Sequence, residues 1–170
     1  CNINDKNEES MLYGNKGMLF VDMGKLDEAL KEYEKSHKIF LSLKNARGQA
    51  LIYLEKTKIL YYKNNLLDAQ KEIIKSSEIF ENIGDLPNYS KSLIQEAKID
   101  RKLKNFDNAS SLIKNAHDIA CKIKSDKFIN EASVEREIIK MCKDNTSDSL
   151  LSLVFNNESS LGDELTAYIH

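Results

Sequence analysis

The stretch Gly24-Lys-Leu-Asp-Glu-Ala-Leu-Lys-Glu-Tyr-Glu-Lys-Ser-His-Lys-Ile-Phe40 reads as a tight turn followed by an amphipathic helix. Leu26, Ala29, Leu30, Tyr33, Ser36 and Phe40 share one helical face, and the other positions are mostly charged. The same pattern recurs at a fixed distance. Asn64-Asn-Leu-Leu-Asp-Ala-Gln places Ala69 forty residues after Ala29, and Lys104-Asn-Phe-Asp-Asn-Ala-Ser places Ala109 forty residues after Ala69. A constant period of this size points to stacked helix pairs, each burying the face that its neighbour leaves open.

Working outward, a first helix is expected from about Ser10 to Met23, with Tyr13, Gly17 and Phe20 on its inner side. Gly24 stops it, because glycine adopts the left-handed backbone of a helix C-terminus without strain. Later helices are expected over about 47–63, 66–82 and 106–124, with another between Pro87 and Leu103. Pro87 suits a first helical turn, where its missing N–H is no loss. Asn64 replaces Gly24 at the second turn. At the third, Lys104 holds that place, and Asn105 is expected to take the strained conformation instead.

Small residues recur in register. Gly17, Thr57 and Ala97 form one series, Ala29, Ala69 and Ala109 a second, and Ser36, Ser76 and Ala116 a third. Close helix crossings leave room only for such side chains. The segment 126–142 matches the first helix of a fourth pair. No second helix of the same pattern follows, so it is expected to cap the array.

With Tyr13, Gly17, Phe20, Ala29, Tyr33, Ser36 and their counterparts, the chain resembles the tetratricopeptide repeat (TPR) family over about residues 10–124. The period matches the longer, forty-residue type found in bacterial signalling regulators and some adaptors. No single repeat is a strong match, since Trp and the usual exit Pro are missing. The resemblance implies an all-α, right-handed superhelical solenoid: three antiparallel hairpins and a capping helix within residues 10–143. Residues 1–9 are expected to be a flexible tether, and residues 144–170 an acidic tail with short helices.

Composition agrees with helices that bury one face. The 170 residues are 41% hydrophobic and 31% charged, with one proline and six glycines, too few turn signals for an all-β fold. The net charge of −2 divides unevenly: −5 lies beyond Lys143 and +3 before it. Such a balance suggests no nucleic-acid partner for this segment. No apolar run is long enough to span a membrane. A cytoplasmic location is expected, with a lipid anchor on Cys1 as the alternative.

No catalytic constellation, phosphate loop or cofactor motif is present in the sequence, and an enzyme is not expected. Cys1, Cys121 and Cys142 form no metal-binding spacing. Cys121 and Cys142 read as small buried residues. His117 and Cys121 stand four apart on one helix but lack further ligands, so no metal site is expected.

The TPR resemblance implies a concave groove lined by the first helix of each pair. Its phase includes Gly14, Met18, Val21 and Asp22, then Leu54, Lys58, Tyr61 and Tyr62, then Ile94, Lys98, Arg101 and Lys102. Lys58, Tyr61, Tyr62, Lys98, Arg101 and Lys102 are the candidate binding residues, suited to a protein or peptide segment with acidic and apolar groups. The expected function is an adaptor or scaffold. The alternative is a sensor segment of a larger bacterial signalling protein: a kinase, a transcription regulator or a peptide-pheromone receptor. The tail run Leu150-Leu-Ser-Leu-Val-Phe155 is expected to pack on the array or lie in the groove.

Overall fold

The computed structural model of the chain describes residues 3–144, all of them in helices or short turns. The expected tail helices, the 150–155 run and Cys1 lie outside the described residues. Seven helices follow one another: α1 (Ile3–Asp22), α2 (Leu26–Ser42), α3 (Ala46–Tyr62), α4 (Leu66–Asn82), α5 (Leu86–Lys102), α6 (Phe106–Lys122) and α7 (Asp126–Lys143). The fold is all-α. Helix α1 packs on α2, α3 on α4 and α5 on α6; α4 also packs on α5, α2 on α3, and α7 covers α6 and part of α5.

Three-residue turns join the helices, and all six share one geometry. Gly24, Lys44, Asn64, Gly84, Lys104 and Lys124 have φ of 71°, 53°, 56°, 71°, 63° and 54°. At each turn that residue's N–H bonds a carbonyl three residues back, and the next N–H bonds one five residues back, as in Gly24 to Val21 and Lys25 to Phe20. This is the Schellman arrangement, which satisfies carbonyls left over at a helix end. The next helix then starts at once. Asn45 and Asp85 accept hydrogen bonds from the backbone N–H of Gly48 and Asn88, which caps α3 and α5.

Two local expectations change. Lys104 itself adopts the left-handed conformation, while Asn105, with φ −84°, is the N-cap residue before α6. The hydrogen-bond pattern of the turn fixes which position is left-handed, and a lysine tolerates it. Residues 3–9 are helical and extend α1; Asn7 accepts a hydrogen bond from the Asn45 amide at 3.3 Å, so this segment touches the next hairpin.

The small-residue series sits at the helix crossings. Ala29, Ala69, Ala109, Thr57 and Ala97 are fully buried. A Cβ added at Gly17 would lie 2.5 Å from the Tyr33 ring, so α1 and α2 approach too closely there for any side chain. Ser36 and Ser76 add an interaction beyond their size. Each donates a hydrogen bond to a backbone carbonyl of the preceding helix, Ser36 to Ser10 at 2.7 Å and Ser76 to Ala50 at 2.9 Å. In the third pair the donor changes sides: Ser90 of α5 donates to the Ala116 carbonyl of α6 at 3.0 Å. The crossing keeps its hydroxyl–carbonyl bond whichever helix supplies the hydroxyl.

Candidate binding surfaces

The sequence-derived surface residues separate on folding. Tyr61, Tyr62 and Lys102 come together where the ends of α3 and α5 meet. The tyrosine rings stand edge-on, 6.3 Å apart, and the Lys102 ammonium lies 4.0 Å from the Tyr61 ring centroid. Lys58 and Lys98 also reach this side, each with a carboxylate partner: Glu55 at 2.6 Å and Glu131 at 2.9 Å.

Arg101 does not belong to that surface. It is 3% exposed, and its Nε bonds Glu135 of α7 at 2.5 Å, with Glu135 itself 2% exposed. Leu54 and Ile94, placed in the same phase, are each 1% exposed and belong to the core. Helix α5 has neighbours on three sides, namely α4, α6 and α7. Its buried arc is therefore wider than one amphipathic stripe and absorbs positions that a two-sided helix would leave open.

One residue that the sequence reading passed over joins the lysines. Lys91 of α5 is half-buried, and its ammonium is held below the usual lysine range, first by burial and then by repulsion from Lys58, with Lys127 adding to it. Glu55 and Glu131 offset part of that repulsion. Four lysines, Lys58, Lys91, Lys98 and Lys127, thus share the neighbourhood of two carboxylates. A signal existed: Lys91 and Lys98 are seven apart, two turns along one helical face.

The opposite side carries a cleft of about 630 Å³ between α2 and α4, with Lys56 and Leu60 of α3 among its lining. Lys56 lies 3.5 Å from Glu34 and 3.2 Å from Glu72, so this cation ties three helices together. Lys35 and Lys71, at the cleft's edge, each pair with a carboxylate of their own helix.

Buried polar groups concentrate around α5. Asp100 is fully buried and accepts hydrogen bonds from Gln70 at 2.5 Å and from Asn108, which link α4, α5 and α6. Glu96 is 9% exposed and accepts a hydrogen bond from Ser77 at 3.2 Å. Burial outweighs that bond and, with repulsion from Asp100 and Glu78, pushes the Glu96 carboxyl up to about 7. Burial has the opposite sign for a base: it is the chief cause that holds His37 below its ordinary range, with its ring 4.8 Å from that of Tyr53.

Cys121 is exposed, against its expected burial, because it falls on the outer side of α6; Cys142 is half-buried. The Cys121 sulfur lies 3.7 Å from His117 Nδ1, and among the described residues no group of three or more His, Cys, Asp or Glu side chains is placed to hold a metal ion. No helix among the described residues is long and apolar enough to cross a membrane. The chain matches no protein-family model and no curated protein.

Proposed function

We propose that this chain is a TPR-type solenoid that binds a segment of another protein and carries out no chemistry of its own. The bound segment has acidic groups beside an apolar anchor and lies across the side lined by α3, α5 and α7. The observation that carries this reading is the half-buried Lys91 beside Lys58 and Lys127, an arrangement in which cations repel one another. An anion seated there relieves the repulsion. Tyr62, which is 47% exposed, offers a rigid apolar surface one turn along α3 from Lys58.

Fluorescence anisotropy with a labelled synthetic peptide of alternating Leu-Leu and Glu-Glu pairs tests the reading. Binding is expected to weaken at least tenfold when Lys91 and Lys127 are both changed to Glu, and to weaken with added salt. Equal binding by the native chain and the double variant would refute it.

A further inference from the structure

Positions that follow one another at forty-residue steps on α3, α5 and α7 meet the preceding even-numbered helix and are closed off by it. They are Ile52 and Ile59 on α3, Ser92 and Ile99 on α5, and Ala132 and Ile139 on α7, none more than 5% exposed. The corresponding positions on α1 are Leu12 and Leu19, and they are 66% and 57% exposed. Met23, in the place of Lys63 and Lys143, is 46% exposed. These three fall on one side of α1, away from Gly17 and Ser10, which face α2.

The other end of the helix stack differs. On α7, the places that in α1, α3 and α5 face the partner helix of the hairpin are taken by Ser133, Glu137 and Lys140, with Glu137 and Lys140 exposed. Among the described residues, one end of the stack shows polar groups; the other presents leucines.

We infer that the outer face of α1 is a docking site for a positively charged amphipathic helix of a partner protein, seated as α2 sits on α3, α4 on α5 and α6 on α7. Those three junctions show the geometry that such a face accepts. The even helix runs antiparallel and covers two apolar or small residues seven apart. A further side-chain contact ties its first turn to the far end of the odd helix, as Asp107 bonds Lys143 at 2.6 Å. At α1 the residue in the Lys143 place is Met23, so the incoming first turn presents an apolar group there.

The sign of the partner follows from the rim. Four carboxylates of α1, Asp5, Glu8, Glu9 and Asp22, are exposed against two exposed lysines, Lys6 and Lys16, and Lys16 lies 3.4 Å from Glu32. Two rival occupants carry the wrong charge or geometry. The chain's own C-terminal stretch has five carboxylates and no Lys or Arg beyond Lys143. A second copy of α1 would bring a second acidic rim against the first.

The test uses the whole chain and a defined probe: a fluorescein-labelled peptide with the sequence of residues 104–125, carrying Ser in place of Cys121. That segment is amphipathic, has four lysines against two aspartates, and is the helix that covers the matching face of α7. The anisotropy titration is expected to show saturable binding that weakens at least tenfold in 0.5 M salt and at least tenfold in the double variant Leu12→Lys, Leu19→Lys. Both leucines are exposed, so the variant should keep the helix content and melting temperature of the native chain, which circular dichroism checks. Absence of binding, or equal binding by native and variant chains, overturns the inference. Sedimentation of the native chain alone is expected to give one species; a concentration-dependent dimer that the double variant abolishes would also overturn it, assigning the face to a second copy. The variants differ from those that test the lysine surface, so either result stands without the other.

Discussion

Changing Arg101 to Met should destabilise the protein by about 3–5 kcal/mol. The guanidinium and the Glu135 carboxylate are 1% and 2% exposed and bond at 2.5 Å across the α5–α7 junction. Removing the cation leaves a carboxylate with almost no access to water. A domain of this size has a total stability of about 5–15 kcal/mol, so the loss is a large share of it. At about 2–4 °C per kcal/mol for 150–250 residues, the melting temperature should fall by roughly 10 °C. Urea titration of the native chain, R101M, E135L and the double variant gives the coupling. The double variant should be more stable than R101M, because two apolar side chains replace the pair without stranding a charge. An R101M variant within about 0.5 kcal/mol of the native chain would refute the reasoning, since a buried carboxylate that loses its guanidinium cannot cost so little. Arg101→Glu would place two carboxylates in that junction and should destabilise the fold further than R101M.

Other expectations concern titration, turns and crossings. The Glu96 carboxyl titrates near 7 when folded, above its ordinary 4.5, so the folded state favours the proton. The stability this contributes is full below about pH 4.5 and is lost as pH rises through about 7, by roughly 3 kcal/mol; Glu96→Gln should flatten that slope in denaturation series at pH 5 and pH 8, and an unchanged slope would exclude Glu96 as its source. Lys44, Lys104 and Lys124 occupy left-handed backbone, so replacing all three with Gly should raise stability by about 1 kcal/mol or more, relief of strain outweighing glycine's entropy; a lower melting temperature would contradict this. Ala69→Leu should cost about 1–3 kcal/mol by overpacking a fully buried crossing, measured by thermal melting, and a neutral result would mean that α3 and α4 can move apart.

Much of the helical layout was legible from Ala29, Ala69, Ala109 and their companions, because a crossing that admits only small side chains imposes them at a fixed spacing. The helix end before Gly24 was legible for a similar reason: glycine is the residue least strained at positive φ. Lys104 was misread by the same rule, since the Schellman hydrogen bonds set the left-handed position and override the residue's preference. The extension of α1 through residues 3–9 carried no apolar periodicity to mark it. Ser36 and Ser76 were recognised by size alone; their hydrogen bonds to Ser10 and Ala50 depend on which carbonyl the crossing brings within reach.

The candidate surface divides along the same line. Helical spacing alone put Tyr61 beside Tyr62 and Lys98 on the side of Lys102, since neighbours within one helix follow from 3.6 residues per turn. Which of those residues meet water depended on how many helices surround each one. Helix α7 covers Arg101 and supplies Glu135, whereas Tyr62 stays open; Leu12 and Leu19 remain exposed because no helix of the described chain covers the side of α1 that points away from α2. The amino-acid sequence by itself determined the all-helical character and which residues share a helix face, because both rest on local periodicity. Only the tertiary structure decided which shared faces are surfaces, because burial is set by neighbours distant in the chain.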